Sequence, residues 1–143
     1  MTALALVGLG SNIDPEQHLV VAAEELRRHF SGVRFSAVYR SAAVGMAADA
    51  ADFLNACALL PSALVVDDLV AWLKTLEDTH GRDRSHGSWR PRTLDLDLMW
   101  FDGAWLEEVM TYPHCYLPAA ELLPLPELVP KPVLRIARID LVL

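Results

Sequence analysis

The sequence predicts an α+β fold, a mainly antiparallel sheet built in β-α-β-β-α-β order and followed by an irregular, proline-rich C-terminal extension. Three observations predict it. Short apolar stretches with period-two alternation give way twice to stretches whose apolar residues lie three and four apart. The 143 residues are 53% hydrophobic and 22% charged, which suits one compact core and argues against a disordered chain. Six of the nine prolines fall between Pro113 and Pro132, where a residue without an amide hydrogen interrupts any long helix.

Residues 3 to 9 read as the first strand, ending in the turn residues Gly8-Leu9-Gly10-Ser11-Asn12. A helix then begins with Asp14 as N-cap, Pro15 at the first helical position and Gln17 three residues after the cap, a combination that satisfies or removes free amides. Leu19, Ala22, Ala23, Leu26 and Phe30 follow at helical spacing and face the core. Val33, Phe35, Ala37 and Tyr39 alternate along a second strand over residues 33 to 40. The alanine-rich run from Ser41 to Asp52 reads as a long connection.

Phe53 to Leu60 forms the third strand, with Phe53, Asn55 and Cys57 on one face and Leu54, Ala56 and Ala58 on the other. Residues 64 to 80 supply the second helix, with Val65, Leu69, Trp72, Leu73 and Leu76 inward and Gly81 as its stop. The fourth strand carries Asp95 and Asp97. Right-handed crossovers place both helices on one face of the sheet, the split arrangement of ferredoxin-like folds. No repeat or domain boundary interrupts the chain, so residues 1–143 read as a single domain.

Composition removes several function classes. A net charge of -7 and only two lysines, Lys74 and Lys131, leave no broad basic surface for nucleic acid. The apolar stretches are too broken to span a membrane, and Met1-Thr2-Ala3-Leu4 has no basic leader, which points to the cytoplasm. Cys57 and Cys115 make no disulfide framework. Gly8-Leu9-Gly10 has Ile13 at the third glycine position of a dinucleotide fingerprint, and no glycine-lysine phosphate loop occurs.

What remains is the run Trp89-Arg90-Pro91-Arg92-Thr93-Leu94-Asp95-Leu96-Asp97-Leu98-Met99. Residues two apart share a strand face, so Asp95 and Asp97 project together while Leu94, Leu96 and Leu98 enter the core. Two hard carboxylates hold Mg²⁺ and leave positions for water and phosphate oxygens. Arg82, Arg84, Arg90 and Arg92 supply a third of all the chain's Lys and Arg within eleven residues, a local cluster suited to a small polyanion. Phe53 and Asn55, on one strand face, can stack on a flat heterocycle and pair with its edge.

Trp89-x-Pro91-Arg92-Thr93-Leu94-Asp95-Leu96-Asp97, with Phe53-Leu54-Asn55 and Gly8-x-Gly10-Ser11-Asn12 upstream, resembles the 6-hydroxymethyl-7,8-dihydropterin pyrophosphokinase family over residues 4 to 128. The resemblance implies a ferredoxin-like α+β sandwich and transfer of diphosphate from ATP to the pterin hydroxymethyl oxygen, releasing AMP, in folate biosynthesis. It implies Asp95 and Asp97 as ligands of two Mg²⁺ ions, and Arg82 and Arg92 as catalytic phosphate contacts. It also places Glu77, Arg82, Arg84, Trp89, Arg92, Leu98, Thr111 and His114 at ATP, and Val44, Phe53, Asn55, Trp89 and Asp95 at the pterin. The expected partners are these two small molecules, acting on a monomer.

The chain departs from the family pattern after His114. Members commonly carry Arg-x-Phe a few residues later, a phosphate contact and a second aromatic face for the pterin; here stands Pro118-Ala119-Ala120-Glu121. Tyr112, Tyr116 and Trp100 are candidate replacements for the aromatic. Two other functions stay open on this ground: a paralogue binding ATP or a pterin with weak or altered transfer, and a regulatory ferredoxin-like domain without catalysis.

Overall fold

The computed structural model describes residues 2–41, 52–80, 94–106, 113–124 and 136–143. β1 (Ala3–Ser11) is the inner strand on which the rest is organised. It pairs with β4 (Phe53–Ser62) on one side and β5 (Asp95–Phe101) on the other, both antiparallel. β3 (Val38–Ser41) and β7 (Ile136–Ile139) extend the sheet beyond β4, and β6 (Ala104–Trp105) flanks β5. β2 (Arg34–Phe35) also pairs with β4. The described architecture is α+β with an antiparallel sheet.

α1 (Pro15–His29) and α2 (Val66–Thr79) cover one face. Leu19, Ala22 and Leu26 of α1 and Leu69, Leu73 and Leu76 of α2 pack on Val7, Leu9, Leu54, Ala56, Leu94, Leu96 and Leu98. The period-two assignment of faces on β4 and β5 is therefore correct. Trp72 closes the helix pair by meeting Phe30 edge-on, ring centroids 5.0 Å apart. On the other face, α3 (Pro113–Ala120) lays Ala119 and Cys115 against Leu6, Cys57, Leu59 and Met99.

Several local expectations are corrected. Gly8 and Gly10 lie inside β1, not in the turn after it. Asp14 precedes α1 as expected, but at φ 43° its side chain makes no capping bond, and its carbonyl accepts the His18 amide instead. Val65 lies outside α2 and is 63% exposed. The second strand is split at Ser36 and Ala37: Ser36 donates its amide to the Cys57 carbonyl, while its Oγ accepts the Cys57 amide. One residue then takes both partners of Cys57, the alternation shifts, and Val38 enters the core while Tyr39 turns to the opposite face.

β5 carries a second irregularity, between its pairings with Leu6 and Val7. Leu98 and Phe101 thereby join the helix-side core, and Met99 joins the cluster under α3. The C-terminal region, expected to be irregular, contains an eight-residue helix with Pro118 inside it and a strand. The connection at 42–51, Gly81 and the arginine segment 82–93 lie outside the described residues.

Candidate active site

Antiparallel register sets the site. Gly10 of β1 faces Asn55 on β4 and Asp95 on β5, while Gly8 faces Cys57 and Asp97. Directly opposed residues share a face, so Asn55, Asp95 and Asp97 project from the side of the sheet away from α1 and α2. With strands about 4.8 Å apart, Asn55 and Asp95 stand about 10 Å apart across a residue without a side chain. Asp95 is half-buried and Asp97 exposed.

The two glycines admit neighbours that any other residue would displace. A Cβ on Gly10 would lie 3.0 Å from Asn55 Oδ1, and one on Gly8 would lie 2.8 Å from Met99 Sδ. The Asn55 amide thus leans over β1. Its Nδ2 donates to Ser41 Oγ at 2.9 Å, which fixes the amide orientation from β3, and Ser41 is itself buried. Phe53 lies two residues before Asn55 and shares its face.

Glu77 reaches β5 from the helix layer. It is 3% exposed, and its Oε2 accepts the Leu96 amide at 2.7 Å. β6 pairs only with Trp100 and Phe101, so this carboxylate supplies an acceptor on the outer edge of β5 between Asp95 and Asp97. Leu98, expected at ATP, buries its side chain in the helix-side core; only its backbone remains for a nucleotide. His114 is half-buried on α3, and burial pushes its imidazole below the ordinary histidine range.

Asp95 and Asp97 suit Mg²⁺, which takes one or two carboxylates and completes its octahedron with water and phosphate oxygens. Among the described residues no group of three or more His, Cys, Asp or Glu is placed to hold a metal ion. Arg82, Arg84, Trp89, Arg92, Val44 and Thr111 lie outside the described residues.

A family model described as 7,8-dihydro-6-hydroxymethylpterin-pyrophosphokinase matches residues 6–132. The chain belongs to this family. Among curated relatives named 2-amino-4-hydroxy-6-hydroxymethyldihydropteridine pyrophosphokinase, that of Synechocystis sp. is 39% identical over 134 residues, covering 88% of this chain and 66% of that protein. The Bacillus subtilis protein is 32% identical over 90% of this chain and 79% of its own length, and the Pseudomonas putida protein 34% identical over 83% and 100%. These similarities lend no support to either alternative, the paralogue with weak or altered transfer or the regulatory domain without catalysis.

The segment after His114, expected from the resemblance to differ from other members, has a defined structural role. Pro118 and Ala119 are buried in α3. Glu121 accepts hydrogen bonds from Tyr39 Oη at 2.6 Å and from the Ala37 amide at 3.1 Å. The segment that stands where the resemblance led us to expect an arginine and an aromatic instead ties the end of α3 to β3. Trp100 is occupied in the cluster under α3, near Trp105; Tyr112 lies outside the described residues. Ser41, Ser36 and Tyr39 were not identified from sequence, since nothing local marks a serine or tyrosine whose partner arrives from another strand.

Proposed function

We propose that the open face of β4, β1 and β5 is where this pyrophosphokinase moves a diphosphate group from ATP to the hydroxymethyl oxygen of 6-hydroxymethyl-7,8-dihydropterin, releasing AMP, in folate biosynthesis. The observation that carries this placement is the row Asn55, Gly10, Asp95, with Asp97 in the next row. It sets a heterocycle-pairing amide and a metal-binding carboxylate pair on opposite sides of a bare strip of backbone. Phe53 and Asn55 hold the pterin, with Val44 and Trp89. Glu77, Arg84, Trp89, the Leu98 backbone, Thr111 and His114 serve ATP.

The pterin hydroxyl oxygen bonds to the β-phosphorus, the bond from that phosphorus to the α,β-bridging oxygen breaks, and the hydroxyl proton is released. Two Mg²⁺ ions, held by Asp95 and Asp97, would neutralise charge on the triphosphate oxygens. Arg82 and Arg92 stabilise the negative charge that builds on the same oxygens. Asn55, locked by Ser41, orients the acceptor, which turns an encounter of two substrates into a positioned attack. No covalent protein intermediate is required, since positioning and electrostatics carry phosphoryl transfer.

The finer features are part of the same proposal. The β5-β1-β4-β3 strand order with α1 and α2 on one face supports a ferredoxin-like core. We take residues 1–143 as one domain acting as a cytoplasmic monomer; no described helix is long and apolar enough to cross a membrane. The test is AMP release from Mg-ATP in the presence of 6-hydroxymethyl-dihydropterin. Pterin-dependent AMP that Asp95→Ala or Asp97→Ala removes supports the site, and AMP formation indifferent to both substitutions overturns it. ATP binding without AMP release overturns the transfer reaction.

A further inference from the structure

On the open face of the sheet, two residues of β3 stand opposite two of β4. Tyr39 pairs with Asn55 and Ser41 with Phe53, and directly opposed residues share a face. Tyr39 points to this face because the irregularity at Ser36 and Ala37 sends Val38 into the core. The four side chains occupy the corners of one patch. Asn55 and Ser41, on one diagonal, are joined by the 2.9 Å bond from Nδ2 to Oγ. Tyr39 and Phe53, the two aromatic residues, take the other diagonal, and both are half-buried.

We propose that Tyr39 and Phe53 are the two walls of a slot one ring thick, with the Asn55–Ser41 pair as its floor, and that the slot takes the flat bicyclic ring of the pterin. The assignment rests on the reading of this face as the pterin site and adds Tyr39 to it as a specificity-determining contact. Diagonal neighbours on adjacent strands lie about 7–8 Å apart, within reach of aromatic side chains. A flat ring stacked about 3.5–4.0 Å from each of two others needs the same separation. The Asn55 amide then meets the edge of a heterocycle whose faces the two aromatic rings hold.

The Tyr39 wall is set before any ligand arrives. Its Oη donates to Glu121 Oε2 at 2.6 Å, and Glu121 Oε1 accepts the Ala37 amide at 3.1 Å, so the carboxylate that holds the phenol is itself held. A side chain restrained at its backbone and at its tip has little freedom left to lose on binding. Tyrosine suits this position better than phenylalanine, since its ring offers an apolar face while its hydroxyl anchors the far end. Glu121 follows directly on α3 (Pro113–Ala120). That helix covers the same face further along, at Cys57 and Leu59, and Phe53 and Asn55 beyond it stay half-buried.

The test measures binding of 6-hydroxymethyl-7,8-dihydropterin to the whole chain with Mg²⁺ and the α,β-methylene analogue of ATP, which has no cleavable bridging oxygen, beside steady-state KM values with ATP itself. Tyr39→Leu and Phe53→Leu should each weaken pterin binding about threefold to tenfold and raise its KM alike, with the KM for ATP unchanged. Tyr39→Phe, which keeps the ring and drops the Glu121 bond, should lose less than Tyr39→Leu. Should Tyr39→Leu fail to fold, nuclear Overhauser contacts between the pterin and the Tyr39 ring protons of the wild type replace it, the tyrosine signals being assigned by their absence from Tyr39→Phe. Pterin binding weakened by Phe53→Leu but not by Tyr39→Leu, an equal loss in Tyr39→Phe and Tyr39→Leu, a matching loss for ATP, or no contact from the pterin to Tyr39 overturns the slot alone. Pterin binding that neither leucine variant changes, or that the wild type lacks, overturns the pterin site itself and the slot with it.

Discussion

Glu77 on α2 accepts the amide hydrogen of Leu96 on β5 at 2.7 Å, and Leu96 is the one residue between Asp95 and Asp97. A carboxylate that is 3% exposed therefore holds the backbone from which both acidic side chains project. The outer edge of a strand otherwise leaves its amides to solvent or to a foreign strand. Here the edge is bonded internally, and the spacing of the two carboxylates is fixed by a helix on the opposite side of the sheet.

Glu77→Ala leaves the Leu96 amide without this acceptor, and losing a buried hydrogen-bond partner costs about 1–3 kcal/mol. Glu77→Gln keeps an acceptor oxygen and should lose less. Urea unfolding reads the stability difference. The Mg²⁺ concentration for half-maximal activity reads the geometry, and should rise for Glu77→Ala while Glu77→Gln stays near the wild type. Equal stability losses with unchanged Mg²⁺ dependence would reduce Glu77 to a packing role.

Gly10→Ala puts a methyl 3.0 Å from Asn55 Oδ1, while Ser41 restrains the same amide from the other side at 2.9 Å. The amide has to tilt, and overpacking of this kind costs about 1–3 kcal/mol. The expected signature is a KM for the pterin raised severalfold or more with the KM for ATP nearly unchanged. Ser41→Ala releases the amide by a different route and should shift the same constant. Steady-state kinetics with each substrate varied in turn checks both; a larger effect on ATP than on pterin would contradict the assignment of Asn55.

The legible parts of this fold are those written in short periods. Leu94, Leu96 and Leu98 against Asp95 and Asp97, or Leu54 and Ala56 against Asn55, are two-residue alternations that any half-buried strand enforces. Gly8 and Gly10 misled because Gly-x-Gly marks turns and close approaches equally, and only the arrival of Met99 and Asn55 from adjacent strands distinguishes them. The Asp102-Gly103 dipeptide, at φ 47° and 98°, was a readable hairpin signal for β5 and β6. Tyr39 with Glu121 and Ser41 with Asn55 are separated by 82 and 14 residues, and no local pattern links such partners.

The Tyr39–Glu121 bond makes an alkaline prediction. Burial first, then the hydrogen bond and charge of Glu121, push the Tyr39 phenol up to about 12 from 10.0, with Arg138 opposing. A raised folded pKa means that the folded chain holds its proton longer, so this stabilisation is complete below about pH 10 and is lost as pH climbs toward 12. Absorbance titration of phenolate should show one late-ionising tyrosine in the wild type that moves back toward 10 in Glu121→Ala. If that late component persists in Glu121→Ala, the bond is not its source.

His80 and His114 act at the other end of the pH scale. Burial is the leading cause that holds each below the ordinary histidine value, joined at His80 by the charge of His18 and opposed by Glu25. The unfolded chain then binds more protons than the folded one once pH falls below about 6.5, so the stability these groups contribute is complete above that value. It erodes as pH drops toward their folded pKa values. Urea midpoints measured from pH 8 to pH 5 should fall on the acid side, with His114→Gln and His80→Gln each flattening that fall. An acid-side loss unchanged in both variants would assign it to carboxylates.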